Sequence, residues 1–234
     1  MADEFLQALG LIGRLDADLA DIVGRSLAVS LSAVAAAALL ALPFGALLAT
    51  HVFPGRAVLV VLVNTLMGLP PVVVGLAVYL MLSASGPMGP LQLLYTPAAM
   101  IIAQAILVFP ILAALTREAL VAIEEDLGEQ LSVFGVTPFE RAGTLLWETR
   151  AALATALLAG FGRAIAEVGA VLIVGGNIAH VTRTMTTTIA LETSKGELAL
   201  ALALGVILIL VAGLVNAAVA LLKSWNDLAQ PARV

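Results

Sequence analysis

Residues 124–148 read EEDLGEQLSVFGVTPFERAGTLLWE, the longest polar interval in a chain that is otherwise mostly apolar. Leading into it, Leu120, Ile123, Leu127, Leu131 and Phe134 recur at spacings of three and four, which is one apolar stripe along a helix. Glu124, Glu125, Asp126, Glu129, Gln130 and Ser132 fall mostly outside that stripe. Gly135 stands where a helix commonly ends, because glycine takes the left-handed cap conformation without a steric penalty. Thr137-Pro138-Phe139-Glu140 then has the form of a capping box, with Thr137 as N-cap, Pro138 at the first helical position and Glu140 reaching back. The interval predicts a helix, a glycine elbow and a second helix that runs on into the next apolar stretch. A bent, charged helical hairpin of this kind suits docking on a soluble partner.

The surroundings of the hairpin set the class. Of the 234 residues, 62% are hydrophobic and 12% charged, which marks an all-α polytopic membrane protein rather than a soluble domain. The chain has no cysteine, so disulfides, thiol chemistry and thiolate metal sites are excluded, and no metal site is expected. Net charge is −5 and no basic patch is present, so no nucleic-acid partner is expected. The N-terminus lacks a basic region followed by an apolar run and a cleavage site, and no cleaved signal peptide is expected.

In chain order, residues 3–19 carry Phe5, Leu9, Ile12 and Leu19 on one face, with acids mostly elsewhere. This is an amphipathic helix that lies at the membrane interface or packs on the protein's own flank. Five spans are expected, at about 22–50, 57–82, 93–116, 150–176 and 198–222, with a cytoplasmic loop at about 117–149. Five crossings place the two chain ends on opposite sides. In the first span Ala33, Ala37, Ala41, Gly45 and Ala49 repeat every fourth residue, a small-residue stripe that permits close helix contact. The second contains Pro70-Pro71, either a packing kink or a bend lining a pathway. The fourth holds Arg163 and Glu167, four residues apart and able to pair, either as a structural ion pair or as a gate contact. Residues 177–197 are polar and threonine-rich and are expected to form an outside loop, with a short helix around 186–194.

No glycine-rich phosphate cradle ending in Lys-Ser or Lys-Thr is present, so this chain is not expected to hydrolyse ATP by itself. Hydrolase signatures are absent as well, and no catalytic residue is expected. Translocation or a scaffold role remains.

Four stretches carry a family resemblance. Glu129-Gln130-Leu131, then three residues, Gly135, nine residues and Leu145 resembles the EAA loop of ABC-importer permeases, with Gln130 and Leu131 in place of two alanines and Trp147-Glu148 in place of Leu-Pro. Residues 162–170, GRAIAEVGA, continuing to Gly175-Gly176-Asn177-Ile178, resemble the GRALGEFGA…AGNI signature of oxyanion permeases, departing at Ala166 and Val168. Residues 68–76, GLPPVVVGL, resemble the LPPVVLG segment of the same proteins, and the ALETSKG run at 190–196 is most similar to tungstate permeases. The resemblance implies the transmembrane domain of a type I ABC importer in a prokaryotic cytoplasmic membrane. It further implies a homodimer, two ATP-binding-cassette subunits that carry ATP and Mg, and an extracytoplasmic substrate-binding protein. It assigns coupling to the ATPase to Glu129, Gln130, Ser132, Phe134, Gly135, Pro138, Glu140 and Arg141. Pro70, Pro71, Arg163 and Glu167 are the pathway or gate candidates. The implied cargo is a tetrahedral oxyanion, tungstate first, with molybdate or sulfate as alternatives and a secondary anion transporter as a further one. Membrane lipid is the remaining partner.

Overall fold

Three stretches are long and apolar enough to cross a bilayer as single helices, with window mean hydropathies of 2.2, 2.4 and 3.0. The computed structural model describes residues 2–14 and 16–229; Leu15, and the tail beyond Ala229, lie outside the described residues. The three long helices are α2 (Ala17–Thr50), α5 (Pro97–Val133) and α10 (Leu198–Ala229). The others are α1 (Ala2–Gly13), α3 (Arg56–Leu66), α4 (Pro71–Leu82), α6 (Pro138–Glu148), α7 (Arg150–Ile165), α8 (Gly169–Gly175) and α9 (Met185–Lys195). No strand occurs among the described residues.

Helix α5 is the axle. Over half of its apolar window (56%) is buried, against 17% for α10, whose Ile209, Leu210, Leu214 and Leu221 face outward. Helix α2 lies along α5 and runs in the same direction, and the small-residue stripe is its contact face. Ala33, Ala37 and Ala41 are at most 2% exposed, and Gly45 is so close that a Cβ there would meet the Ala113 carbonyl oxygen at 2.7 Å. Small side chains permit this approach, and packing supplies the attraction, because lipid offers no hydrophobic drive. Pro110 sits buried inside α5 without ending it. Helix α2 starts earlier than expected because Asp16 caps it, accepting from the Asp18 and Leu19 amides at 3.1 and 3.2 Å. At its other end Arg56 donates to the Leu48 carbonyl at 2.7 Å.

Two of the expected spans are not continuous helices. The segment at 57–82 is α3 and α4, bent by 103° at a break over residues 67–70. Pro71 is the first residue of α4, and Pro70 before it is extended (φ −65°, ψ 122°), as a residue preceding proline prefers. Pro70-Pro71 therefore starts a new helix after a full break, sharper than the kink or bend expected within one span. The segment at 150–176 is α7 and α8, bent by 60°. Counting each bent pair as one crossing gives five. The bundle has two distinct ends. Val219 and Leu222 of α10 lie by Ala151 and Ala152, near the elbow, while α1 lies by Ala199 at the opposite end.

Of the two readings for the N-terminal helix, the flank contact holds. Ala8 is 1% exposed, and Leu11 and Ile12 join the main core, although Phe5, Leu6 and Leu9 remain outside. The short helix expected within 177–197 is present as α9, but its first turn is buried and not a surface element. Met185, Thr186, Thr187 and Thr188 of α9 are buried, because their polar groups find partners within the protein. Ser26 of α2 accepts from the Met185 amide at 2.7 Å, and the Thr187 and Thr188 hydroxyls donate to the Thr184 carbonyl.

Candidate functional site

The elbow forms as its local chemistry dictates. Helix α5 runs unbroken to Val133, Gly135 turns the chain with φ +64°, and α6 starts at Pro138. The Thr137 amide donates to Glu140 Oε2 at 2.8 Å, and the Glu140 amide donates to Thr137 Oγ1 at 3.3 Å, a complete capping box. Donation from Thr137 holds the Glu140 carboxyl below the usual carboxylate range. Underneath, Leu120 and Leu145 are fully buried, with Ala46 and Leu153, in a small core of their own. The elbow is thus seated on α2 and α5.

Arg141 locks the two arms. Its guanidinium pairs with Glu124 on α5 and donates to Ser132 Oγ at 3.2 Å. Ser132 in turn donates to the Gly128 carbonyl at 2.7 Å. Of the candidate residues, Ser132, Glu140 and Arg141 are thus joined in the clamp and cap, while Glu129 and Gln130 point to solvent. Phe134 leaves the apolar stripe assigned to it. It is 77% exposed, beside Val133 at 86%, at the end of α5, while Phe139, 90% exposed, lines an apolar groove with Leu39, Pro43 and Leu47 of α2. The physical reason is the elbow itself: α5 ends at Val133, so the helical period no longer aims Phe134 inward. Glu124 was not among the expected site residues. An acid seventeen residues before its arginine carries no local signal until the hairpin closes.

Across the bundle, the second set of candidates meets at the bends. The 68–76 and 162–178 segments, far apart in sequence, cross at Gly75 and Ala170, where a Cβ on Gly75 would lie 2.7 Å from the Ala170 Cα. Glu167 sits in the break between α7 and α8 and is 3% exposed. Its Oε2 accepts from Arg163 at 2.7 Å, and its Oε1 accepts from the Ala170 amide at 3.1 Å, capping α8. The pair was expected along one continuous helix face; it instead spans the end of α7. The Thr186 hydroxyl of α9 donates to the Glu167 carbonyl at 2.8 Å. Pro70 is exposed and Pro71 half-buried, and the next residue, Val72, reaches the bend, where a Cβ on Gly169 would meet Val72 Cγ2 at 2.9 Å and Glu167 Oε1 at 3.7 Å. The helix holding these threonines was expected, but not its burial, because a run of hydroxyls reads as surface.

Comparison with known proteins gives a consistent result. Residues 41–226 match the family described as the binding-protein-dependent transport system inner membrane component. The chain is 44% identical over 204 residues to a probable anion ABC transporter permease protein of Haloferax volcanii, covering 85% of this chain and 88% of the relative. It is 38% identical over 223 residues to the tungstate uptake system permease protein TupB of Peptoclostridium acidaminophilum, covering 94% and 96%. It is also 41% identical over 155 residues to the TupB protein of Campylobacter jejuni, covering 66% and 65%.

Proposed function

The chain belongs to the family of binding-protein-dependent transport system inner membrane components, a multi-pass membrane protein, and on that premise we propose that two copies of it form the path by which an oxyanion enters the cell. Tungstate is the first choice of cargo, in keeping with the two tungstate-uptake relatives, and molybdate and sulfate are the competing anions. An extracytoplasmic binding protein delivers the anion. Two ATPase subunits, carrying ATP and Mg, dock on the elbow.

The observation that carries this reading is the elbow. A tip of Val133 and Phe134, exposed at 86% and 77%, stands at the end of α5 on a clamped and capped hairpin. Large apolar groups so exposed beyond the apolar body mark a contact surface. Closure of the ATPase pair moves the tip, and α6, running through Thr149 into α7, carries that motion to the break at Glu167. Self-association is supported by the bare apolar faces of α3 and α4, with Val58, Val61, Val72 and Val73 all more than half exposed. A second copy and membrane lipid share in covering them.

The test is ATP hydrolysis by the purified complex in liposomes with its binding protein. Stimulation by tungstate at lower concentration than molybdate or sulfate is expected. Preference for another of the three overturns the cargo, and co-purification of no ATPase subunit overturns the docking role of the elbow.

Gly135→Val probes the elbow directly. No atom lies within 4 Å of the added Cβ, so its effect comes only from forcing a β-branched residue to φ +64°. The expected result is an inserted chain whose anion uptake per ATP falls about tenfold, the equivalent of roughly 1.4 kcal/mol of lost preference for the elbow conformation. Unchanged uptake removes the elbow from the mechanism.

A further inference from the structure

Gln104 is the one uncharged carboxamide buried in the middle of α5, at 3% exposure, and its surroundings are apolar. Its Nε2 donates to the Ala164 carbonyl at 2.9 Å. Ala164 is in the last turn of α7, immediately before the bend. One turn back along α7, the seam is closed by shape alone: a Cβ on Gly160 would meet Leu112 and Val108 at 3.0 and 3.1 Å. The amide is thus a polar stitch in an otherwise apolar seam, placed where α7 stops. The Ala164 carbonyl also receives the Glu167 amide at 3.1 Å, so the stitch bears on the same carbonyl that tightens the bend.

A second observation separates this amide from an ordinary packing residue. Gln104 Oε1 is buried and has no hydrogen-bond partner. An unpaired carbonyl in an apolar interior is costly, and a leucine or methionine would fill the same space without that cost. The orphan oxygen therefore needs a reason, and the state seen here uses only half of the amide.

We infer that Gln104 is a positioning residue for transport: its amide latches the α7–α8 bend to α5 in this state, and the latch is released when the bend changes angle. This deepens the proposed function and rests on it for the word transport, whereas the latch itself is a statement about the bend. The bend is held on its other side by Thr186 on the Glu167 carbonyl and internally by Arg163 on the Glu167 carboxylate. Loss of Gln104 thus frees one of several restraints on the bend and leaves the bundle intact.

The experiment is Gln104→Met in the complete complex, read in two ways. Amide hydrogen exchange over residues 164–168 is expected to quicken about tenfold, while α2 and the rest of α5 keep their protection, as for a local opening that has lost one buried bond. ATP hydrolysis without anion is expected to rise several-fold, with less anion moved per ATP and an unchanged melting temperature. Exchange at 164–168 equal to the unaltered protein overturns the latch. Faster exchange with unchanged coupling overturns its role in transport. If the methionine variant does not assemble, Gln104→Glu decides. A neutral buried acid can still donate to Ala164, so bend protection at low pH should match the unaltered protein, and loss of that protection at low pH overturns the proposal. The exchange arm needs no cargo, so it remains decisive where no oxyanion stimulates the ATPase and the functional reading itself fails.

Discussion

Gly45→Leu is expected to destabilise the protein by about 3 kcal/mol or more, the upper end for overpacking a tight interface. The first atom of the new side chain would lie 2.7 Å from the Ala113 carbonyl oxygen, 2.8 Å from Thr116 Cβ and 3.0 Å from Thr116 Cγ2. Two of these three atoms cannot swing away, because one is backbone and one is the branch point of a fully buried β-branched residue. The helices must therefore separate, and the contact that separates is the one on which the fold turns. Ala41 below and Ala46, Leu48 and Leu120 above are all buried on the same seam. Loss at that seam is a large share of the 5–15 kcal/mol that an ordinary domain holds in reserve. Thermal unfolding in detergent measures the effect, and yield of inserted protein reports it independently. Gly213→Leu on the exposed side of α10 is the control, since nothing lies within 4 Å of its Cβ, and its stability change should stay within about 0.5 kcal/mol. Equal melting temperatures for the two variants would show that α2 does not pack on α5 as described.

The second large effect is asymmetric. Arg163→Met should cost about 3 kcal/mol, because it strands the Glu167 carboxylate, at 3% exposure, without its cation. The value is placed at the low end because the Arg163 side chain is 35% exposed and solvent already screens the pair. Glu167→Gln should cost less. The amide oxygen still accepts from the Ala170 N–H, and the partly exposed guanidinium can turn toward water. Restoring neutrality with Arg163→Met and Glu167→Gln together should recover most of the loss, giving a coupling energy of about 1–3 kcal/mol between neighbouring sites. The same unfolding measurement decides it. Additive losses would mean that the two residues act separately and that the ion pair does not hold the bend.

Much of this was legible in the sequence, and the reason is that it is local. An all-helical membrane chain follows from composition and from the length of the apolar runs. The elbow follows from a three-and-four period, a glycine and a Thr-Pro-x-Glu box, each acting within one or two turns. The small-residue stripe on α2 was visible too, since alanine and glycine at every fourth position share one face whatever lies opposite. Within the elbow, the sequence misplaced only Phe134, by continuing a helical period one residue past the helix end.

What the tertiary structure alone decided is everything set by the neighbour across the seam. Pro70-Pro71 shows that α3 and α4 must part somewhere nearby; the 103° between them depends on Gly75 seating against Ala170. Arg163 and Glu167 at a spacing of four suggest one helix, yet the carboxylate leaves that helix to cap α8. Thr186, Thr187 and Thr188 suggest water, because hydropathy scores a hydroxyl by its own polarity. It has no knowledge of the Glu167 and Thr184 carbonyls that satisfy those hydroxyls inside the fold. Ser26 and Met185 are 159 residues apart and share a 2.7 Å hydrogen bond. A polar group is cheap to bury only when its partner is already in place, and for these groups the partner is supplied by another helix.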